Sequence, residues 1–412
     1  MNAQGPDALE RVVREEWGRL VAVLLSRFRR LDLVEDALGD AVEAAARTWP
    51  ADGVPDVPAA WLQTAASRRI IDRLRTEAVA QKAAPLLVVE SSRREGARVM
   101  ADPGALVEDD LLRLVLMCTH PALAPEAASA LTLRLVLGVP TADIARLFLV
   151  PEATMAARIT RAKKRITGAG IPFGVPDASV LPDRLDTVAQ TAYLAFTAGY
   201  SPGTGPDLLR AELSARAIGL VRVVLGLRPA EPVLVALLAL MLLQHSRRDA
   251  RVADGRLVLL PDQDRARWHA DEIDEARRLL ASEALRGPVT VQSAAYALQA
   301  RIAAEHAIAT SPDQTDWERM IVLYDALLAV APTPSARLAR SVAVAEARGP
   351  AAGLAALEGI EIPSTHRVAA VRAELLARSG DTDAARAAFD QAIAACLNDV
   401  ERAHLESRRA EL

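Results

Sequence analysis

Lysine is almost missing from this chain of 412 residues: Lys82, Lys163 and Lys164 are the only three, and every other basic residue is arginine. Aromatics are scarce as well, at 3%. Cores must therefore be built from Ala, Leu and Val. Ala and Leu favour helix, so an all-α fold is expected. Cys118 and Cys396 are the two cysteines, far apart in the chain. They make neither a disulfide framework nor a CxxC metal site, which fits a reducing compartment. Cys118-Thr119-His120 lacks a second ligand pair, so no metal is expected there. Long apolar runs are missing too. The longest, Val233 to Leu243, falls well short of the roughly 20 residues that span a bilayer. The first residues carry acids where a signal peptide needs an apolar core, so a cytoplasmic protein without membrane contact is expected.

What is present is an apolar fraction of 51%, ample for buried cores. Basic residues number 49 and acidic residues 53, a net charge of −4. With no global basic field, any nucleic-acid binding must come from a local patch. One such patch exists. Thr141 reads as a helix N-cap with Ile144, Ala145 and Phe148 behind it. Leu149-Val-Pro151 breaks that helix, and Glu152 opens a second with an acid at its positive end. The second helix carries Arg158, Arg161, Lys163, Lys164 and Arg165, with no acid among them and two of the three lysines. Two short helices joined by a tight turn, the second one basic, form the geometry that enters a DNA major groove. Arg158 and Arg161 suit base edges or phosphates; Lys163, Lys164 and Arg165 suit phosphates. An ordinary helical hairpin with a solvated basic face is the plainer reading.

Thr141-Ala-Asp-Ile-Ala145, Leu149-Val-Pro-Glu-Ala-Thr154 and Arg158-Ile-Thr-Arg-Ala-Lys163 resemble the C-terminal DNA-binding domain of bacterial extracytoplasmic-function sigma factors. The resemblance implies that this helix reads the −35 promoter element, through Thr154, Met155, Ala156, Ala157, Arg158, Arg161, Lys163, Lys164 and Arg165. Asp143 and Ala153 stand where that group usually has Glu and Gly. Two further stretches are similar to the same family. Val34-Glu-Asp-Ala-Leu-Gly-Asp40 resembles the helix that docks on the largest polymerase subunit. Its Glu35, Asp36 and Asp40 offer carboxylates suited to a basic coiled coil. Trp61-Leu-Gln-Thr-Ala-Ala-Ser-Arg-Arg-Ile-Ile-Asp-Arg-Leu-Arg75 resembles the helix that captures the −10 element. This assigns Trp61, Arg68, Arg69, Asp72, Arg73 and Arg75 to −10 DNA, with Ser67 in place of the usual Asn. By its residue type Trp61 reads first as a core anchor at a helix start, and second as an aromatic for unpaired bases.

The remaining half resembles the subgroup of these sigma factors that has a long TPR-like C-terminal extension. The stretches that carry this are Ala192-Tyr-Leu-Ala-Phe196 with Gly199-Tyr200, Pro232 to Leu243, Leu260-Pro-Asp-Gln-Asp-Arg265 with Trp268, Trp317 to Tyr324, and Gly349-Pro-Ala-Ala-Gly-Leu354. Gly380, Ala385, Phe389 and Ala392 fall at TPR offsets, and Leu338, Val342, Ala345, Gly349 and Leu354 match the template more weakly. Such repeats bind peptides or proteins without naming the partner. Asp262 to Arg265, with His245, Arg247, Arg248, Arg251, Trp268 and His269, form the one cluster suited to a ligand. A polar network between helices is the preferred reading of it.

The expected organisation is a sigma region 2 domain over 1–81, a linker over 82–107, a region 4 domain over 108–172, a short linker over 173–182, and a regulatory helical extension over 183–412. The expected function is that of an alternative sigma factor whose partners are core RNA polymerase, promoter DNA and a protein or peptide on the extension. Neither an enzyme nor a cofactor is expected. The rivals are a helix-turn-helix regulator that never touches polymerase and a helical scaffold with an incidental basic helix.

Overall fold

A computed structural model describes residues 4–81, 103–148, 150–200, 211–253, 256–287, 289–309, 311–362 and 365–412. Most of the expected linker over 82–107 lies outside these. The chain forms two compact units, 1–194 and 195–412. The division falls inside a helix, further along than the punctuated stretch before residue 183.

In the first unit, α1 (Gln4–Phe28) and α2 (Leu31–Asp52) pack on α3 (Pro58–Gln81). Arg29, with a φ of 57°, turns the chain between the first two helices. The stretch from Trp49 to Pro58, which holds three prolines, begins inside a helix. Helix α2 carries Pro50 in its last turn and ends at Gly53, whose N–H donates to Trp49 O. Proline lacks an N–H, so Pro50 leaves a carbonyl of the preceding turn without its helical bond, and the helix stops within three residues. There follow α4 (Pro103–Cys118), α5 (Pro125–Leu135), α6 (Thr141–Leu147), α7 (Glu152–Gly168) and the first part of α8 (Leu181–Tyr200).

Helices from both expected sigma domains share one core. Helix α1 lies on α4 and touches α5. Its Gly18 is where the backbones meet: a Cβ there would stand 2.3 Å from Val136 O. The Trp17 ring covers Gly138, whose φ of 67° also demands glycine. The two sigma-like domains are therefore not separate bodies.

The second unit continues with α9 (Ala211–Leu227), α10 (Pro232–His245), a two-residue hairpin β1 (Val252–Ala253) and β2 (Arg256–Leu257), and α11 (Ala270–Leu280). Then come α12 (Val291–Ile308), α13 (Trp317–Val330), α14 (Pro334–Arg348), α15 (Pro350–Leu357), α16 (Arg367–Ser379), α17 (Thr382–Ala395) and α18 (Asp399–Ala410). The apolar run Val233 to Leu243 is α10, buried on every side as the centre of this unit. From α12 onward each helix packs on the next. Gly353 permits one close approach, since a Cβ there would meet the Ala345 methyl at 2.4 Å. Ala385, Phe389 and Ala392 are all fully buried. Gly380, at φ 85°, closes α16, and the Asp381 carboxylate caps α17 by accepting from Ala384 N. The whole described structure is all-α apart from the small hairpin.

Candidate nucleic-acid interface

Helices α6 and α7 make a helix-turn-helix, joined through residues 148–151. Val150 N donates to Ala145 O and Met155 N to Pro151 O, which tie the turn to both helices. Thr141 is the first helical residue rather than the cap; Pro140 holds that place, with no side-chain cap bond. Proline at 151 precedes α7, and Glu152 begins it as read from the sequence.

Helix α7 has two faces because its apolar residues recur at helical spacing. Met155, Ile159, Ala162 and Ile166 point into the core. Thr154, Ala156, Arg161, Lys164 and Arg165 are exposed, and Ala157 and Arg158 are half-buried. Met155 is fully buried, so of the nine residues assigned to −35 DNA it alone has no surface to offer. Arg158, Arg161, Lys164 and Arg165 form no ion pair among the described residues. Their charge is free to meet phosphate. Lys163 is different. It pairs with Glu35 of α2.

Glu35 is buried, with its side chain 8% exposed, and does not share a surface with Asp36 and Asp40. It accepts from Arg134 Nε of α5 at 2.6 Å and from Lys163 Nζ. Burial pushes its carboxyl upward, but Lys163 and Arg134 together outweigh that and hold it below the usual range. Arg134 also lies over the Trp17 ring, 5.7 Å from its centroid. One carboxylate thus joins α2 to α5 and α7. Sequence reasoning missed Arg134. A lone cation in the apolar stretch of α5 was the available signal. Beside this clamp Cys118 is wholly buried and its thiol is pushed up, first by burial and then by Glu35. His120 Nδ1 accepts from Ala122 N within its own turn.

Asp36 and Asp40 face α3. Arg73 reaches both, at 3.2 Å and 3.0 Å, and Arg69 approaches Asp40 at 3.6 Å. Arg75 pairs with Asp72 at 3.5 Å. Arg68 is exposed and has no ion pair among the described residues. Two of the acids assigned to polymerase, Asp36 and Asp40, are thus engaged by two of the arginines assigned to −10 DNA, Arg69 and Arg73, across α2 and α3. Trp61 stands edge-on to the buried Trp49 ring, centroids 5.6 Å apart, which makes it an anchor at the start of α3.

Residues 113–166 match the sigma-70 region 4 family, and residues 184–284 match a family of unknown function (DUF6596). The class is therefore that of helical proteins with a sigma-70 region 4 domain, the kind of domain sigma factors use in transcription. An uncharacterized protein of Rhizobium meliloti (strain 1021) is 43% identical over 393 residues, covering 93% of this chain and 91% of that protein. This chain belongs to the same family as that protein. No solved structure matches the chain.

Proposed function

We propose that the chain is an alternative sigma factor, of the extracytoplasmic-function kind with a TPR-like extension, that binds core RNA polymerase and directs initiation at its own promoters. The observation that carries this reading is the outward face of α7. Four cations there have no acidic partner among the described residues, on the second helix of the helix-turn-helix, within the stretch that matches region 4. In this reading Thr154, Ala156, Ala157, Arg158, Arg161, Lys164 and Arg165 face the −35 element. Arg68, Arg69, Asp72, Arg73, Arg75 and Trp61 serve the −10 element. Asp36 and Asp40 dock on polymerase, and Glu35 positions α2 rather than touching the partner. The extension beyond residue 194 regulates the assembly by binding a protein or peptide.

Run-off transcription with core polymerase on the genomic fragments the protein selects tests the reading. The doubly substituted Arg161→Ala, Lys164→Ala protein is expected to lose at least tenfold in transcript while still binding core. Equal transcript from wild type and variant would remove α7 from the mechanism. The engagement of Asp36 and Asp40 by Arg69 and Arg73 favours a second reading, a regulator that uses α7 without polymerase. Core association separates the two.

A further inference from the structure

We propose that Arg247, Arg251 and Arg265, gathered around Tyr200 and Trp268 in the second unit, form a binding site for a small oxyanion ligand bearing a phosphate or carboxylate group. This does not rest on the polymerase reading.

The geometry is a knot of guanidinium groups and rings. Arg247 Nη2 donates to the Tyr200 hydroxyl at 2.8 Å, and Arg251 Nη1 to Tyr200 O at 2.5 Å. The Arg251 guanidinium lies 4.1 Å from the Tyr200 ring centroid. Trp268 receives two more, Arg265 at 4.6 Å and Arg247 at 5.9 Å. Arg265 Nη1 also donates to His306 O at 2.6 Å and Ala309 O at 2.8 Å, at the end of α12.

Among the described residues no carboxylate lies within ion-pair distance of any of the three arginines. The acids of the neighbourhood have other partners. Glu272 takes His245 and Arg248, Asp249 takes His269, and Glu401 takes His366. Buried charge without a counter-charge is costly, and proteins ordinarily pair it. The excess of positive charge is felt locally. Burial, then Arg247 and Arg265, bring the His306 imidazole down to about 4. Burial also lowers Arg251, and Arg247 adds to that, while Tyr200 and Glu401 pull the other way without offsetting it.

The hydrogen-bond inventory points the same way. Arg247 Nε, Arg265 Nε and Trp268 Nε1 are buried and have no acceptor among the described residues. All three are N–H donors. Buried donors left unmatched are costly, so several in one place call for a common acceptor. An oxyanion supplies both what the donors need and what the charge needs. Guanidinium forks match its planar or tetrahedral oxygens in pairs. The Tyr200 and Trp268 rings hold the forks in place. Tyr200, Arg247, Arg251, Arg265 and Trp268 all lie within residues 184–284, the stretch that matches the family of unknown function.

The test is isothermal titration of the full-length protein with inorganic phosphate, with succinate and with chloride, at matched ionic strength. One saturable site is expected for phosphate or for succinate, and none for chloride. The anion that binds identifies the ligand group. Arg247→Gln and Arg265→Gln are each expected to weaken it at least tenfold, and Arg256→Gln, an exposed position, to leave it unchanged. Circular dichroism reports whether each variant is folded. If either fails to fold, the wild-type melting temperature decides: a saturating rise with the binding anion, and none with chloride, supports the site. Absence of a saturable site for both oxyanions in the wild type would overturn the proposal. So would equal affinity in the folded variants.

Discussion

Glu35 draws its partners from far along the chain, Arg134 and Lys163, and so links segments that local pattern keeps apart. Its acidic character was plain from the sequence; its burial was not, because the helix bearing it also carries Asp36 and Asp40 on the water side. Replacing it as Glu35→Gln keeps the shape and removes the charge. Two partly buried cations then lose their counter-charge, and a cost on the order of 2 kcal/mol is expected, read as a lower urea midpoint. The carboxyl sits below its ordinary value of 4.5, so its contribution is complete above that pH and fades as pH falls through the lower folded value. The Gln variant should lack that part of the acid slope. His306 acts at higher pH. Its imidazole falls from 6.5 to about 4 and stays neutral in the fold. The unfolded chain takes up a proton below about 6.5, so stability is complete above that value and is lost progressively towards 4. Chemical denaturation at several pH values should show this loss in the wild type and a flatter profile in His306→Gln. An identical slope in both would remove His306 as its source.

At the scale of elements, α7 was the best-read part of the chain. Its start at Glu152 and its basic half were visible because lysine is so rare that two neighbouring ones stand out. Which cations are free was not visible, since Lys163 is spent on a distant glutamate. The α3 arginines were visible in the same way, but their pairing with α2 depends on how two helices cross. The burial of Ala385, Phe389 and Ala392 on α17 was readable for a simpler reason: they recur along one face of a single helix, and Phe389 and Ala392 pack with Ala373 and Leu405 of the neighbouring helices. The Arg247 to Arg265 cluster was seen as a run of polar residues near Trp268. Its lack of acidic partners is a property of space, not of order. For α7 the salt dependence of DNA binding is the direct check. Each phosphate contact releases counterions, so Arg161→Ala is expected to reduce the slope of log affinity against log salt by about 1, measured with polymerase present. An unchanged slope would place Arg161 away from the DNA backbone.

At the scale of the whole molecule, the first unit is closed upon itself. Glu35 ties α2 to α5 and α7, Gly18 lets α1 meet the end of α5, and Trp17 seals the contact over Gly138. The groups assigned to polymerase are engaged within the unit, with Asp36 and Asp40 held by Arg69 and Arg73. These outer pairs are exposed and worth little, about 0–1 kcal/mol each, so a basic partner surface can exchange with them readily. The buried clamp is a larger obstacle to separating α7 from α2. Under the proposed reading, docking of Asp36 and Asp40 on polymerase needs only these outer pairs to exchange, whereas releasing Lys163 towards DNA would break the buried pair with Glu35. Docking on core polymerase is the central claim, and it is measured most directly by size-exclusion co-elution of the full-length chain with purified bacterial core enzyme, wild type beside Asp36→Arg. The wild type is expected to co-elute and the variant to lose most of that association while keeping its fold. A wild-type chain that elutes apart from core, or a variant that binds it equally well, would contradict the sigma-factor reading of α2.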